Sequence, residues 1–202
     1  MSTQQKHRYT LEEYLALERE SEIKYEYWDG EIFAMSGGTL AHDLIMCNTT
    51  NQLTPQLANK RRRFFSNNMQ IKVPIAPPYR YADGSVVCGK AEVERFNGAD
   101  LLINPVLIIE VLSPSTEAYD RGDKFTYYKS IPTFREYLLI AQHRAHITHY
   151  VKAETGKWDY EETNDLTSSI YLSTIACTLA LSEVYRDVEF SQDETPISRG
   201  TQ

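Results

Sequence analysis

The stretch Val106-Leu107-Ile108-Ile109-Glu110-Val111-Leu112 constrains this chain more than any other. Its nearly continuous apolar character reads as a strand buried on both faces, which needs a covering layer on each side. A carboxylate in the middle of such a strand is expensive to bury unless it is paired or bound to a cation. Two readings of Glu110 stand at this point. It is one arm of a metal site, or it is a buried carboxylate satisfied by backbone donors or an arginine.

The rest of the chain supplies the covering layers. Thr10 and Glu13 form a capping-box signature for a helix running to about Glu20, with Tyr9 spaced to pack on Tyr14. Asp29-Gly30, between Ile23–Trp28 and Glu31–Met35, predicts a two-residue hairpin turn. Gly37-Gly38 breaks the chain, and Leu40, Leu44, Ile45, Leu53 and Leu57 then recur at near-helical spacing, with Pro55 expected to kink or restart that helix. Phe64-Phe65, Met69 to Pro74, Ser85 to Cys88, Tyr137 to Ala141 and His146 to Val151 read as strands. Trp158 to Glu161 and Ile170 to Leu172 are weaker ones. Ser113-Pro114-Ser115-Thr116 ends the central strand and can cap a helix over about Glu117 to Lys129, and Leu181 to Val188 suggests a short one. No repeat or low-complexity linker divides the sequence. The economical organisation is one mixed α/β domain over residues 1–190, followed by a polar tail, 191–202, read as disordered.

Bulk properties exclude several function classes. No apolar run approaches the roughly 20 residues that span a bilayer. The polar start Met-Ser-Thr-Gln-Gln-Lys-His-Arg lacks the apolar segment of a secretory signal. Three scattered cysteines, Cys47, Cys88 and Cys177, suit a reducing cytoplasm and oppose a disulfide framework or a zinc knuckle. The formal charge of −7, from 21 basic and 28 acidic residues, opposes a protein that coats nucleic acid. That charge is unevenly placed. Residues 153–202 hold ten acids against three bases, so the first 152 residues carry eighteen of each. A nuclease built on that neutral part stays open.

Asp83 precedes the strand Ser85-Val86-Val87-Cys88. If that strand neighbours the central one, Asp83 and Glu110 can converge on one hard divalent cation. Magnesium prefers oxygen ligands and usually takes one or two protein carboxylates. The competing reading of Asp83 is an ordinary Asp-Gly turn, the commoner use of that pair. On the following helix, Asp120, Lys124, Tyr127 and Tyr128 share a face. A lysine there could lean over the strand end and stabilise developing phosphate charge. The simpler reading is an Asp120–Lys124 surface pair worth about 0.3–0.5 kcal/mol.

Other features are discounted. His146 and His149 fall on opposite faces of an alternating strand, so with His143 they make no metal cluster. His42 reads more readily as a capping or core histidine than as a catalytic one. Lys60-Arg61-Arg62-Arg63 could touch a phosphate backbone, but such a run is more often a solvated helix end.

Taken in order, Tyr25-Glu26-Tyr27-Trp28-Asp29-Gly30-Glu31, Met35, His42, Tyr81 to Val87, Ile109 to Thr116, Asp120 to Tyr128 and Ile131 to Tyr137 resemble the Uma-type putative restriction endonuclease family. That family lies within the PD-(D/E)XK nuclease superfamily, and the resemblance covers about residues 8 to 190. It implies a restriction-endonuclease-like core, a mixed β-sheet flanked by helices, with metal-binding acids at the ends of central strands. Asp83 matches the family's Asp, although Ala82 stands where Pro is usual. Glu110 matches the acid of the next strand. The superfamily lysine two residues after it is replaced by Leu112, and Lys124 matches a lysine that members carry on the following helix. Glu26 matches a recurrent acid near the first hairpin, against the reading of a solvated or cross-strand charge.

The leading expectation is thus a magnesium- or manganese-dependent endonuclease hydrolysing DNA. Asp83 and Glu110 would hold the metal, Lys124 would offset negative charge, and Glu26 would complete the site. The alternative is a catalytically inactive nuclease-fold module for binding or regulation. A homodimer would match the two-fold symmetry of duplex DNA, though nothing in the chain requires one.

Overall fold

The computed structural model describes residues 7–28, 30–34, 38–75, 79–96 and 98–190. The tail from 191 onward, Asp29 of the expected hairpin turn, Met35 and Gly37 lie outside the described residues. In chain order the elements are α1 (Leu11–Glu20), β1 (Tyr25–Trp28), β2 (Glu31–Ala34), α2 (Leu40–Leu57), β3 (Arg62–Ser66), β4 (Gln70–Lys72), β5 (Tyr79–Tyr81), β6 (Gly84–Cys88), β7 (Val93–Phe96), β8 (Ala99–Leu102) and β9 (Leu107–Leu112). There follow α3 (Glu117–Tyr119), a π-helical turn (Asp120–Lys124), α4 (Phe125–Tyr128), β10 (Glu136–Ala141), β11 (Ile147–Lys152), β12 (Trp158–Thr163), β13 (Ser169–Leu172), β14 (Cys177–Ala180) and α5 (Leu181–Val184).

A six-stranded mixed sheet, β12-β11-β10-β9-β6-β3, forms the centre. The pair β9–β10 is parallel and the helical segment between them is its crossover, as a parallel pair requires. All six residues of β9 and all six of β10 are buried. Period-two alternation then sends two different sets of side chains to the two faces. Leu107, Ile109 and Val111 join Ile45, Leu53 and Leu57 of α2 together with the β13–β14 hairpin. Ile108 and Leu112 face the other way, onto Phe125 and Tyr128 of α4 and onto Ile71 and Leu102 of the small sheet β5-β4-β8-β7. A third cluster, centred on Tyr14, Tyr79, Tyr81 and Leu101, seats α1 and the first hairpin on that small sheet.

Local signals were decisive where they were strong. Both capping-box hydrogen bonds of α1 are present, Thr10 N to Glu13 and Glu13 N to Thr10 Oγ1. Tyr14, however, packs on Tyr27 and Tyr79. The β1–β2 register pairs Trp28 with Glu31, leaving a two-residue loop in which Gly30 has φ +80, the left-handed region glycine tolerates.

Three expectations need correction. α2 is one helix that does not restart at Pro55, which sits in its last turn. The segment after Thr116 is not one α-helix but α-turns around a π-turn. The basic run is not the end of α2. It forms a turn and the start of β3, where Lys60 Nζ donates to Ala176 O at 2.6 Å and Arg62 donates to Ile175 O. Strands β5, β7, β8 and β14 carried no apolar run long enough to mark them.

Candidate active site

Glu110 takes its orientation from the alternation of β9. It faces the same side as Ile108 and Leu112, toward the crossover helix. Tyr128 of α4 donates its hydroxyl to Glu110 Oε1 at 2.9 Å. Lys124 Nζ lies 2.9 Å from the same oxygen. The side chain of Glu110 is 3% exposed and that of Lys124 8%, so the pair is a buried one.

Asp83 arrives from the neighbouring strand. β6 runs antiparallel to β9, and Gly84 stands opposite Ile109, which brings Asp83 beside Glu110. The backbone N–H of Asp83 donates a long bond to Glu110 Oε2 at 3.4 Å, and Val111 N–H donates to Asp83 Oδ2 at 2.7 Å. The Asp-Gly pair is therefore not a turn of the positive-φ kind, since Gly84 opens a strand. Glycine is needed there for space. A Cβ would stand 2.7 Å from Cζ of Phe64, which faces it from β3.

The crossover segment contributes Asp120 and Lys124, 3.3 Å apart at Oδ1 and Nζ. The pair expected at the surface does form, but both side chains are buried. Four-residue spacing overshoots an α-turn of 3.6 residues. The widened i→i+5 turn absorbs the excess and keeps residues 120, 124 and 128 aligned over β9. Glu26 reaches in from β1: its Oε1 accepts from Tyr81 N–H at 3.1 Å and lies 4.0 Å from Lys124 Nζ. Lys124 is thus the hub of three carboxylates, Glu26, Glu110 and Asp120.

His42 completes the cluster. Its Nε2 is 3.2 Å from Asp83 Oδ2, and its backbone N–H is capped by Thr39 Oγ1. Its side chain therefore serves neither as a cap nor as apolar filling. No short-range signal marks this contact, because α2 and β6 meet only through the packing of α2 on the sheet. Asp120 and Tyr128 were visible as neighbours of Lys124 on one helix face, but not as partners of Glu110. Arg80, fully buried, holds Tyr119 Oη at 2.9 Å and Tyr79 O beneath the site, and nothing in the sequence announced it.

The electrostatics follow from burial and crowding. Burial, with Asp120 and Asp83 beside it, pushes the Glu110 carboxyl well above the usual carboxylate range, with Lys124 pulling against it. Burial disfavours the Lys124 ammonium, yet Glu110, Tyr128, Glu26 and Asp120 together hold it well above the ordinary lysine value. Burial of Asp83 is outweighed by His42, which keeps its carboxyl low, and Asp83 in turn raises His42. Perturbed groups of this kind cluster at functional sites. The basic run lies at the far end of β6, where Arg62 pairs with Cys88. At about 3.4 Å per residue it is roughly 14 Å from the strand end that bears Asp83.

A family model described as Uma2, putative restriction endonuclease, matches residues 11–182. Two curated relatives, both uncharacterized proteins of Synechocystis sp., are similar. Slr1290 is 32% identical over 182 residues, covering 89% of this chain and 92% of the relative. Sll1609 is 32% identical over 151 residues, covering 74% and 84%. Among solved structures, a putative nuclease belonging to DUF820 from Anabaena variabilis shares the fold with a TM-score of 0.69 at 19% identity, over 87% of this chain and 97% of that one.

Proposed function

The chain belongs to the Uma2 putative restriction endonuclease family, and on that premise we propose that it is a metal-dependent endonuclease hydrolysing DNA phosphodiester bonds at the cluster around Asp83, Glu110 and Lys124. Family membership supports a nuclease in general terms. The finer reading rests on one observation: Asp83 and Glu110 meet from adjacent antiparallel strands, with the Lys124 ammonium 2.9 Å from Glu110.

The donor set fits a divalent cation. Four carboxylates, Glu26, Asp83, Glu110 and Asp120, converge against one lysine and one histidine, an excess of negative charge that a cation would offset. Among the described residues no three metal-binding side chains form a ready cage. Magnesium does not need one, since it keeps several waters and takes one or two carboxylates. Asp83 and Glu110 would hold the ion, their remaining oxygens engaging His42, Val111, Lys124 and Tyr128, with Glu110 Oε2 accepting only the long bond from Asp83 N–H. When bound, such an ion polarises a phosphoryl oxygen and makes its water a stronger nucleophile.

The remaining roles belong to the chain itself. Tyr128 fixes the Glu110 carboxylate and His42 fixes that of Asp83, each through one hydrogen-bonding contact. Lys124, anchored by Glu26 and Asp120, brings a permanent positive charge to the place where phosphate charge develops, in a setting where burial strengthens it. Leu112 faces the same side of β9 as Glu110. A lysine at position 124 therefore supplies from the helix the charge that position 112 does not, which favours an active enzyme over an inactive module.

The test is cleavage of plasmid and oligonucleotide DNA in magnesium by the wild-type protein, Asp83→Ala and Glu110→Ala. Activity confined to the wild type is expected. Equal activity in all three proteins would overturn the assignment.

A further inference from the structure

Between α1 and the small sheet lies a cleft of about 370 Å³ that the proposed chemistry does not use. Its size falls within the range of small-ligand sites, about 300–1,000 Å³. Tyr79, Tyr81 and Phe96 line it, with Tyr79 edge-on to both of the others at ring centroid separations of 6.1 and 6.4 Å. Glu18 accepts hydrogen bonds from the hydroxyls of Tyr79 and Tyr81. Gln70 Nε2 donates to Tyr81 Oη at 2.6 Å, while Gln70 Oε1 is buried and has no partner among the described residues. Lys24, also in the lining, carries its ammonium 5.5 Å from the Tyr81 ring centroid.

The cleft and the candidate active site share a residue. The backbone N–H of Tyr81 holds Glu26, while its ring lines the cleft. Tyr81 precedes Asp83 by two residues, at most about 7 Å of extended chain. The cleft and Asp83 are thus joined through one short segment of backbone, Tyr81 to Asp83.

We propose that this cleft receives an unpaired nucleobase of the strand being cut, adjacent to the scissile phosphate. This inference rests on the nuclease reading above. Phe96, partly exposed, offers a face for stacking that every base can use, while Tyr79 and Tyr81, 5% and 6% exposed, present edges and hydroxyls rather than open faces. The carboxylate of Glu18, which already accepts from both tyrosine hydroxyls, is an acceptor suited to exocyclic amines and ring N–H groups. Lys24 offers a charge for the adjoining phosphate. A base stacked within a duplex cannot enter such a cleft, so the strand must be single, frayed or carry an extruded nucleotide. The enzyme then prefers unpaired DNA over an intact duplex.

Binding can be measured apart from cleavage. Single-stranded oligonucleotides carrying one 2-aminopurine are titrated in EDTA with wild type, Phe96→Ala and Lys24→Gln, alongside the same sequence as a duplex and a strand of the same length that is abasic at every position. Phe96 is partly exposed, and Lys24→Gln leaves the aromatic packing intact, so the two variants guard against a folding artefact. The expected result is a fluorescence change on binding, with weaker affinity by about fivefold or more for the duplex, the abasic strand and both variants, the low end of what one stacked base contributes. Equal affinity for the base-bearing and abasic strands, or affinity that neither variant alters, overturns the cleft assignment. Magnesium-dependent cleavage, assayed in parallel, separates the two ideas. Cleavage sensitive to Asp83→Ala with an indifferent cleft leaves the nuclease standing alone, whereas base-dependent binding without cleavage sinks the nuclease reading and spares the cleft.

Discussion

His42 Nε2 stands 3.2 Å from Asp83 Oδ2, joining the first turn of α2 to the residue ahead of β6. The contact turns a histidine near a helix start into a support for a carboxylate at the proposed metal site. Outer partners of this kind hold a ligand's orientation, and their loss typically costs 10–100-fold in metal affinity or activity.

Replacing His42 tests that support directly. His42→Ala should lower magnesium-dependent cleavage by about 10–100-fold and raise the magnesium concentration needed for half-maximal rate. His42→Gln, which keeps a donor, should recover part of both. An unchanged magnesium dependence in His42→Ala would show that the pair does not position Asp83.

Lys124 is the cation for Glu110, Asp120 and Glu26. Lys124→Met should leave these carboxylates buried and uncompensated, costing about 3–5 kcal/mol by denaturant unfolding in EDTA. Magnesium at millimolar concentration should restore part of the loss, because a bound cation replaces the missing charge. Similar unfolding midpoints for the variant with and without magnesium would count against a cation site there.

Gly84→Ala examines packing alone. Its new Cβ would fall 2.7 Å from Phe64 Cζ and 3.2 Å from Met46 Cε. Overpacking of this kind costs about 1–3 kcal/mol. Gly84→Ala combined with Phe64→Leu should regain stability relative to Gly84→Ala, as a double-mutant cycle would reveal.

The opposite face of the sheet, toward its β12 edge, holds a separate pH-sensitive cluster. Burial disfavours the charged form of His149, but Glu136, 3.6 Å away, and Glu161, 3.3 Å away, outweigh it and raise the imidazole above its ordinary value. A group whose folded pKa is raised contributes stability that is complete below the unfolded value, about 6.5 for histidine. That contribution is lost as pH rises through the folded value. Melting temperature should therefore fall from pH 6 to pH 8.5. Glu136→Gln, which can still accept from Ser173 and Thr174, should flatten the slope, and an unaltered slope would remove His149 as its cause.

The basic run is expected to be structural. Arg62→Ala should cost about 1 kcal/mol, because the Ile175 carbonyl loses its donor. Arg63→Gln, at the far end of β6 from Asp83, should leave DNA affinity and its salt dependence unchanged. A reduced salt slope would instead bring that end of the sheet into contact with phosphate.

Much of the fold was legible from short-range signals. The capping box of Thr10 and Glu13, the Asp-Gly hairpin and the apolar run of β9 each specify an element within a few residues. Glu110 stood out for the same reason, as a charge in an apolar run. Asp83 was ambiguous because an Asp-Gly pair is ordinarily a turn, and only the strand pairing with Ile109 tells the difference. Lys124 was visible by its helical spacing, but spacing alone could not separate a surface pair from a buried hub.

The sequence by itself determined the two-face burial of β9, the acid within it and the residues able to join that acid from a following helix. These depend on local periodicity and on the cost of burying charge, which any window of the chain displays. Only the tertiary structure decided that α2 brings His42 to Asp83, that β1 brings Glu26 to Lys124, and that the basic run sits at the far end of the sheet. Those meetings join segments distant in sequence, and they arise from the order in which strands pair and helices pack, which no local pattern carries.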